Sequence, residues 1–428
     1  MKFTSKAKGF FSKKQLNTEE EKIEVKELKK ESTFEFMPRI EATEEKKVEK
    51  ISDSEIVNRG IELANSIKSS RIQGSKEERE VANYLLDTTE NILNQKGSLE
   101  PFYVSNFYYN YGLMLIGVIF LIALITFVFS PIASLILYLT SLVALVCRVI
   151  LKKDIAFLSK KDISFNVVNE LNSRDKTENT LIIATNYSSS RNWLLNRFFT
   201  INLRAFITVN IIFILATFIS LVILACGINN IGLQSFVGVL LFLQMMFCLC
   251  FYSFDKPNKN AKHGLSGLAV SEAIVDYLNQ HSGLIGDNTK VVFVAVGGGT
   301  DGANGTKAFI KEHFKNNNDY PNAVVVSFEN TVEDTILTRN SKGKITTIAY
   351  ERLSKKPIKK QKGFLKGYGT NLFENMGVDA VAIGESVDNI RVDFNTVKDN
   401  CDLKYEEIEE KFYCYLPIIT DILNELKR

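Results

Sequence analysis

A chain of 428 residues that is 46% hydrophobic and 24% charged is long enough for two or three ordinary domains and can bury a sizeable core, which excludes wholesale disorder. Its 52 Lys and Arg against 49 Asp and Glu leave a formal net charge of +3, too even a balance to mark a nucleic-acid surface. Six cysteines form no CxxC or Cys/His ladder, and Cys147, Cys226, Cys248 and Cys250 sit in apolar runs as small hydrophobes, so no disulfide framework is indicated.

The opening MKFTSKAKGFFSKK carries Lys2, Lys6, Lys8, Lys13 and Lys14 with no apolar stretch behind them, so no cleavable signal peptide is predicted. Phe3, Phe10 and Phe11 among those lysines suit an anionic membrane surface, although a solvated tail explains them as simply. Leu16 to Lys50 mixes Glu and Lys without a sustained apolar stripe, and residues 1–50 are expected to be a disordered charged leader. In the segment 51–110, Ile56 to Ile67 and Glu77 to Leu93 have helical spacing, the second preceded by Ser75 as N-cap with Glu78 at the capping-box position.

Four apolar runs follow in two pairs, Leu113 to Phe129 with Ile132 to Leu151 and Ala205 to Cys226 with Gly232 to Tyr252. Each approaches the roughly 20 residues a helix needs to cross a bilayer, and none shows the polar stripe of a core helix. Arg148, close to a segment end, is their one full charge. They are read as two transmembrane hairpins, over 111–151 and 204–253, turning at Ser130-Pro131 and Gly227 to Ile231. Lys152, Lys153, Lys160, Lys161, Arg191, Arg197, Arg204, Lys256, Lys259 and Lys262 flank one side, which the retention of basic flanks makes cytoplasmic. Segments 51–110, 152–203 and 254–428, with both termini, are then expected to share that compartment and to assemble into one domain beside the lipid bilayer.

Outside the hairpins the pattern is α/β. ISFNVVNEL (163–171), TLIIATN (180–186), KVVFVAV (290–296), AVVVSFE (323–329), KITTIAY (344–350) and VDAVAIG (378–384) read as strands. Helices are predicted over 266–280, 306–315 and 403–426. Nearly continuous apolar strands alternating with helices predict a mostly parallel sheet covered on both faces.

GGGTDGANGT follows the strand that ends at Val296, and its Gly297, Gly299 and Gly302 fit G-x-G-x-x-G, with Glu329 closing the next strand. That arrangement can cradle a pyrophosphate at a helix start and hold a ribose by the carboxylate, but a glycine-rich turn explains it too. The serines at Ser188 to Ser190 and Ser266 have no histidine anchored beside them in sequence, so no nucleophilic triad is assigned.

Taken in order, the soluble pieces resemble metallopeptidase family 28, the co-catalytic zinc aminopeptidases. SSRIQGSKEEREVANYL (69–85) is similar to R-x-x-G-S-x-x-E and its helix, and ISFNVVNEL with LIIATNYSSS to the N-V-I strand and the strand ending H-Y-D-S. AKHGLSGLAVSEAIVDYL (261–278) resembles A-x-D-N-A-S-G, and FVAVGGGTDGANGTKAFI (293–310) follows F-x-x-x-x-G-E-E-x-G-L-x-G-S-x-x-F without a gap. AVVVSFEN stands at the strand ending in a metal-binding acid and FNTVKDNCD at H-T-x-x-D. The resemblance implies a zinc-aminopeptidase-like fold interrupted by the two hairpins.

It also implies where two zinc ions and a general base would sit, and there the residue types have changed. Asn186 stands for a ligating His, His263 for the bridging Asp, Thr300 for the ligating Glu and Asn395 for the last His. Gly299 takes the general-base position and Ser188 the Asp of H-Y-D-S, whereas Glu329 keeps a ligating type. Neutral amides and hydroxyls do not offset two dications and glycine moves no proton, so no cofactor and no hydrolysis are expected. The expectation is a membrane-embedded relative without catalysis whose relic cleft takes a peptide or a membrane-protein partner. Two alternatives stay open: an active metallo-aminopeptidase with zinc on rearranged ligands from His263, Asp301, Glu329 and Asp399, and a dinucleotide-binding membrane protein.

Overall fold

The computed structural model describes residues 51–68, 71–104, 106–149, 162–171, 173, 175–189, 201–228, 230–250, 262–299, 303–331, 334–338, 342–353, 358–360, 369–384, 389–390 and 402–427. The expected leader, most of the basic flanks of the hairpins, Thr300, Asp301, Gly302, Asn395 and Asp399 lie outside the described residues, as does the side chain of His263.

Two capped helices open the fold, α1 (Asp53–Ser66) and α2 (Lys76–Leu93). Ser75 Oγ accepts the Glu78 N–H at 3.0 Å, the cap its sequence predicts. Asn94 then turns the chain with φ 50° into β1 (Gly97–Val104). One residue separates β1 from the apolar helix α3 (Asn106–Phe127), which is followed by α4 (Pro131–Val149). Next come β2 (Asp162–Leu171), β3 (Asn179–Asn186) and the short β4 (Ile201–Asn202). The second apolar pair is α5 (Leu203–Ala225) and α6 (Ile231–Cys250), and α7 (Lys262–Gln280) and β5 (Thr289–Val296) follow. The chain continues through α8 (Asn304–Ile310), which runs on as a π turn over Lys311–Asn316, β6 (Ala323–Phe328) and β7 (Thr335–Thr338). It closes with α9 (Lys344–Arg352), β8 (Ile358–Lys360), α10 (Thr370–Glu374), β9 (Asp379–Gly384), β10 (Asn389–Ile390) and α11 (Tyr405–Leu426).

Eight strands form one mixed sheet in the order β1-β2-β5-β3-β6-β9-β7-β8. Its centre, β5-β3-β6-β9, is parallel, whereas β2 runs antiparallel to β5, β1 to β2 and β7 to β9. Side chains alternate between two buried faces, which is why these strands read as unbroken apolar runs. Leu181, Ile183, Val291 and Phe293 join α1, α2, α7 and α11 in the larger core. Ile182, Val292 and Val294 pack on the other face with Phe309 of α8 and Phe373 of α10.

KITTIAY, expected as a strand, is the helix α9. Ile345, Thr346, Ala349 and Leu353 are all buried, an i, i+1, i+4, i+8 set that a helix lays on one face and that the alternation of a half-buried strand does not. The β-branched composition pointed the other way, and the tertiary stripe prevailed. β1 carries Pro101, which a sheet tolerates here because β1 is an edge strand.

The four apolar helices pack on one another around Ile116, Phe120, Tyr138, Leu221 and Leu241. Side chains hydrogen-bond between helices: Ser134 Oγ donates to Ala123 O (2.8 Å), Tyr138 OH to Ile214 O (2.9 Å) and Gln244 Nε2 to Thr217 Oγ1 (2.7 Å). Thr208–Ala225 and Ile231–Cys248 are long and apolar enough to cross a membrane, and Gly112–Phe127 and Pro131–Cys147 are shorter apolar helices. Of the large hydrophobics exposed among the described residues, all except Tyr84, Met376 and Tyr413 lie between Val118 and Met246.

Candidate functional site

The C-terminal ends of the central parallel strands converge on one cleft, as the strand polarity of an open α/β sheet requires. β3 delivers Asn186, β5 delivers the glycine loop, and β6 delivers Glu329. The turn after β3 is fixed from below by Arg71, which is fully buried. Its Nε donates to Tyr187 O at 2.6 Å, its guanidinium also bonds Ile67 O, and its backbone N–H donates to Ser189 Oγ at 2.8 Å. Gly74, at φ 73°, makes the turn into α2 and donates its N–H to Glu78 Oε2 at 2.6 Å. The Arg71-Gly74-Ser75-Glu78 pattern thus holds backbone, and through Tyr187 it sets the position of Asn186 and Ser188.

Those two residues and Gly299 form a polar network. Ser188 Oγ donates to Asn186 Oδ1 at 2.8 Å and accepts the Gly299 N–H at 3.0 Å, and Ser188 N–H also donates to Asn186 Oδ1 at 3.2 Å. A Cβ built on Gly299 would overlap Asn186 Oδ1, so no larger residue fits there without movement. Glu329 accepts from Ser327 Oγ at 2.6 Å. Burial pushes its carboxyl up to about 7, against the lowering effect of the Ser327 bond. Asn186, Gly299, Thr306, Glu329, Gly369 and Thr370 line a pocket that leaves about 20 Å³ for the centre of a water molecule, room for one or two.

The structure therefore joins Asn186, Ser188, Gly299 and Glu329 of the expected positions. His263 is the second residue of α7, whose first turns rest on the end of β6. Ser266 Oγ accepts the Thr331 N–H at 3.2 Å, a cap-like role in place of any nucleophilic one, and a Cβ on Gly267 would overlap the carbonyls of Phe328 and Glu329. Thr306, Ser327 and Thr370 were not singled out in the sequence. Only Ser327, two residues from Glu329 at a strand end, carried a local signal for its partner.

Among the described residues no group of three His, Cys, Asp or Glu is placed to hold a metal ion. The described wall offers one carboxylate beside amides, hydroxyls and glycine, a donor set that does not fit two zinc ions. Described backbone groups of the glycine loop are engaged within the fold. Gly297 N–H donates to Asn166 Oδ1 at 3.2 Å, Gly299 N–H is taken by Ser188, and the carbonyls of Gly297 and Gly298 accept from Gly305 and Asn304. Gly298, at φ 58°, serves the turn itself.

No family model and no curated protein matches this chain. Solved structures similar to it include two aminopeptidases and a glutaminyl cyclase. The aminopeptidase from Aneurinibacillus sp. strain AM-1 has a TM-score of 0.49 at 10% identity, over 86% of this chain and 95% of that one. The zinc aminopeptidase from Bacillus subtilis has a TM-score of 0.49 at 8% identity, over 86% and 94%. The glutaminyl cyclase from Fimbriiglobus ruber has a TM-score of 0.47 at 11% identity, over 89% and 99%. At such identities the likeness concerns chain path alone.

Proposed function

We propose that this is a membrane-embedded protein whose α/β domain descends from the zinc-aminopeptidase scaffold, has lost hydrolysis, and uses the relic cleft to receive a peptide or protein partner. The observation that carries the reading is the Asn186–Ser188–Gly299 network: three positions that would serve metal and proton transfer are spent on one another. Of the motif residues that keep their type, Arg71, Gly74 and Glu78 hold backbone, and Glu329 alone among them lines the pocket. The belt of exposed aliphatic side chains on α3 to α6 supports contact with lipid.

The narrowness of the pocket sets what can enter. A partner inserts one small group, a terminus or a side-chain tip, rather than laying a strand along the cleft. Glu329, the ionisable described residue of that wall, favours an amino group at this tip.

Metal content and aminopeptidase activity of the full-length protein in detergent, measured with peptide binding, test the proposal. The expected result is no stoichiometric zinc, no chelator-sensitive hydrolysis, and binding of short peptides with free but not acetylated N termini, a difference that Glu329→Gln removes. Stoichiometric zinc lost on His263→Ala would instead establish an enzyme with ligands from His263, Asp301, Glu329 and Asp399. A nucleotide retained through purification would establish the dinucleotide reading.

A further inference from the structure

His313 lies outside the pocket lining, in the π turn that continues α8, and carboxylates engage both of its ring nitrogens. Nε2 is 2.7 Å from Glu100 Oε1 and Nδ1 is 2.7 Å from Asp319 Oδ2. A neutral imidazole owns one N–H and would turn a lone pair toward the other carboxylate, so the two contacts together suit the imidazolium. The ring packs beside Phe309 and Tyr320, at centroid distances of 4.5 and 4.9 Å, and these two rings stack on each other 5.7 Å apart. Tyr320 OH donates to Glu170 Oε1 of β2 at 2.9 Å, and Lys290 of β5 pairs with the same carboxylate at 2.9 Å. Burial works against the charge on His313, but the bonds and charges of Glu100 and Asp319 outweigh it and hold the pKa above the ordinary histidine value.

The three residues belong to three parts of the fold. Glu100 is on β1, the edge strand that passes into α3 after one residue. His313 continues α8, whose Thr306 lines the pocket, and Asp319 lies in the turn that leads to β6 and Glu329. We propose that His313 is a proton-operated clamp between the strand that feeds the first apolar hairpin and the helix and turn that support the cleft. As imidazolium it holds both carboxylates, and on losing its proton it releases one. Since its folded-state pKa is raised, the clamp's contribution is complete below the ordinary value of 6.5 and is lost as the pH rises through the shifted one.

The chain has three histidines, so ring resonances of the full-length protein in detergent can be assigned with His263→Gln, His281→Gln and His313→Gln. His313 is expected to titrate above 6.5, with Glu100→Gln and Asp319→Asn each lowering its midpoint. Hydrogen exchange of residues 97–104 and 304–320, corrected for the intrinsic rate, is expected to rise severalfold across that midpoint in the wild type and to stay level in His313→Gln. Should that variant fail to fold, Glu100→Gln supplies the same comparison. A midpoint at or below 6.5, or a rise in exchange that persists in the variants, would overturn the clamp.

Discussion

At Gly299 one missing methyl group decides what the site can be. A Cβ there would overlap Asn186 Oδ1, so Gly299→Ala is expected to destabilise the protein by about 1–3 kcal/mol in thermal melts, and Gly299→Glu by more without restoring hydrolysis. Glu329 makes a second, independent test. Its carboxyl sits at about 7, above its unfolded value of 4.5, so its contribution is full below about 4.5 and is lost as the pH climbs through 7. The wild type should therefore lose up to about 3 kcal/mol between pH 4.5 and 8 from this group, a slope that Glu329→Gln flattens in melts taken across the range. Asn186, Ser188 and Glu329 were legible in the sequence because each ends or follows an apolar strand at a position with a counterpart in a known motif. Thr306 and Thr370 were not, since a hydroxyl on a short helix reads the same whether it faces a pocket or water.

Among the elements, the turn after β3 depends on a side chain more than a hundred residues earlier. Arg71 is buried and bonded to Tyr187 O and Ile67 O, and Arg71→Met would strand those carbonyls. A loss of about 3 kcal/mol or more is expected, read as a fall in melting midpoint together with weakened peptide binding, because Asn186 and Ser188 lose their footing. The central strands, the capped α2 and the apolar helices could be read from period and composition, although α3 begins at Asn106, seven residues before the apolar run read from Leu113. α9 and β1 could not. The first owes its helix to a stripe that β-branched residues disguise, and the second is an edge strand with proline and glycine, whose pairing with β2 joins residues on either side of a hairpin.

For the molecule as a whole, the proposed membrane setting predicts that the protein stays in the bilayer fraction through alkaline carbonate washing. Within the bundle, Gln244→Leu removes the bonds to Thr217 and Phe213 and is expected to cost only about 0.5–1 kcal/mol, seen as a small drop in melting midpoint in detergent. The alternation of long apolar runs with charged stretches made the four apolar helices legible in the sequence. The packing of all four helices around Tyr138 and Leu241 was not, because apolar side chains facing lipid and facing a neighbouring helix look alike.

Strand pairing also carries a rule of parity. β1 bonds to β2 across the first pair of apolar helices, and β3 bonds to β5 across the second, in register along their lengths. Whatever plane those helices traverse, each pair must go through it an even number of times, or the sheet would be torn between two compartments. In the proposed membrane setting, with each pair crossing out and back, the loops at Phe129 and Cys226 emerge on a common side, opposite the sheet. An impermeant thiol reagent applied from that side should label Cys226 and an introduced Phe129→Cys alike.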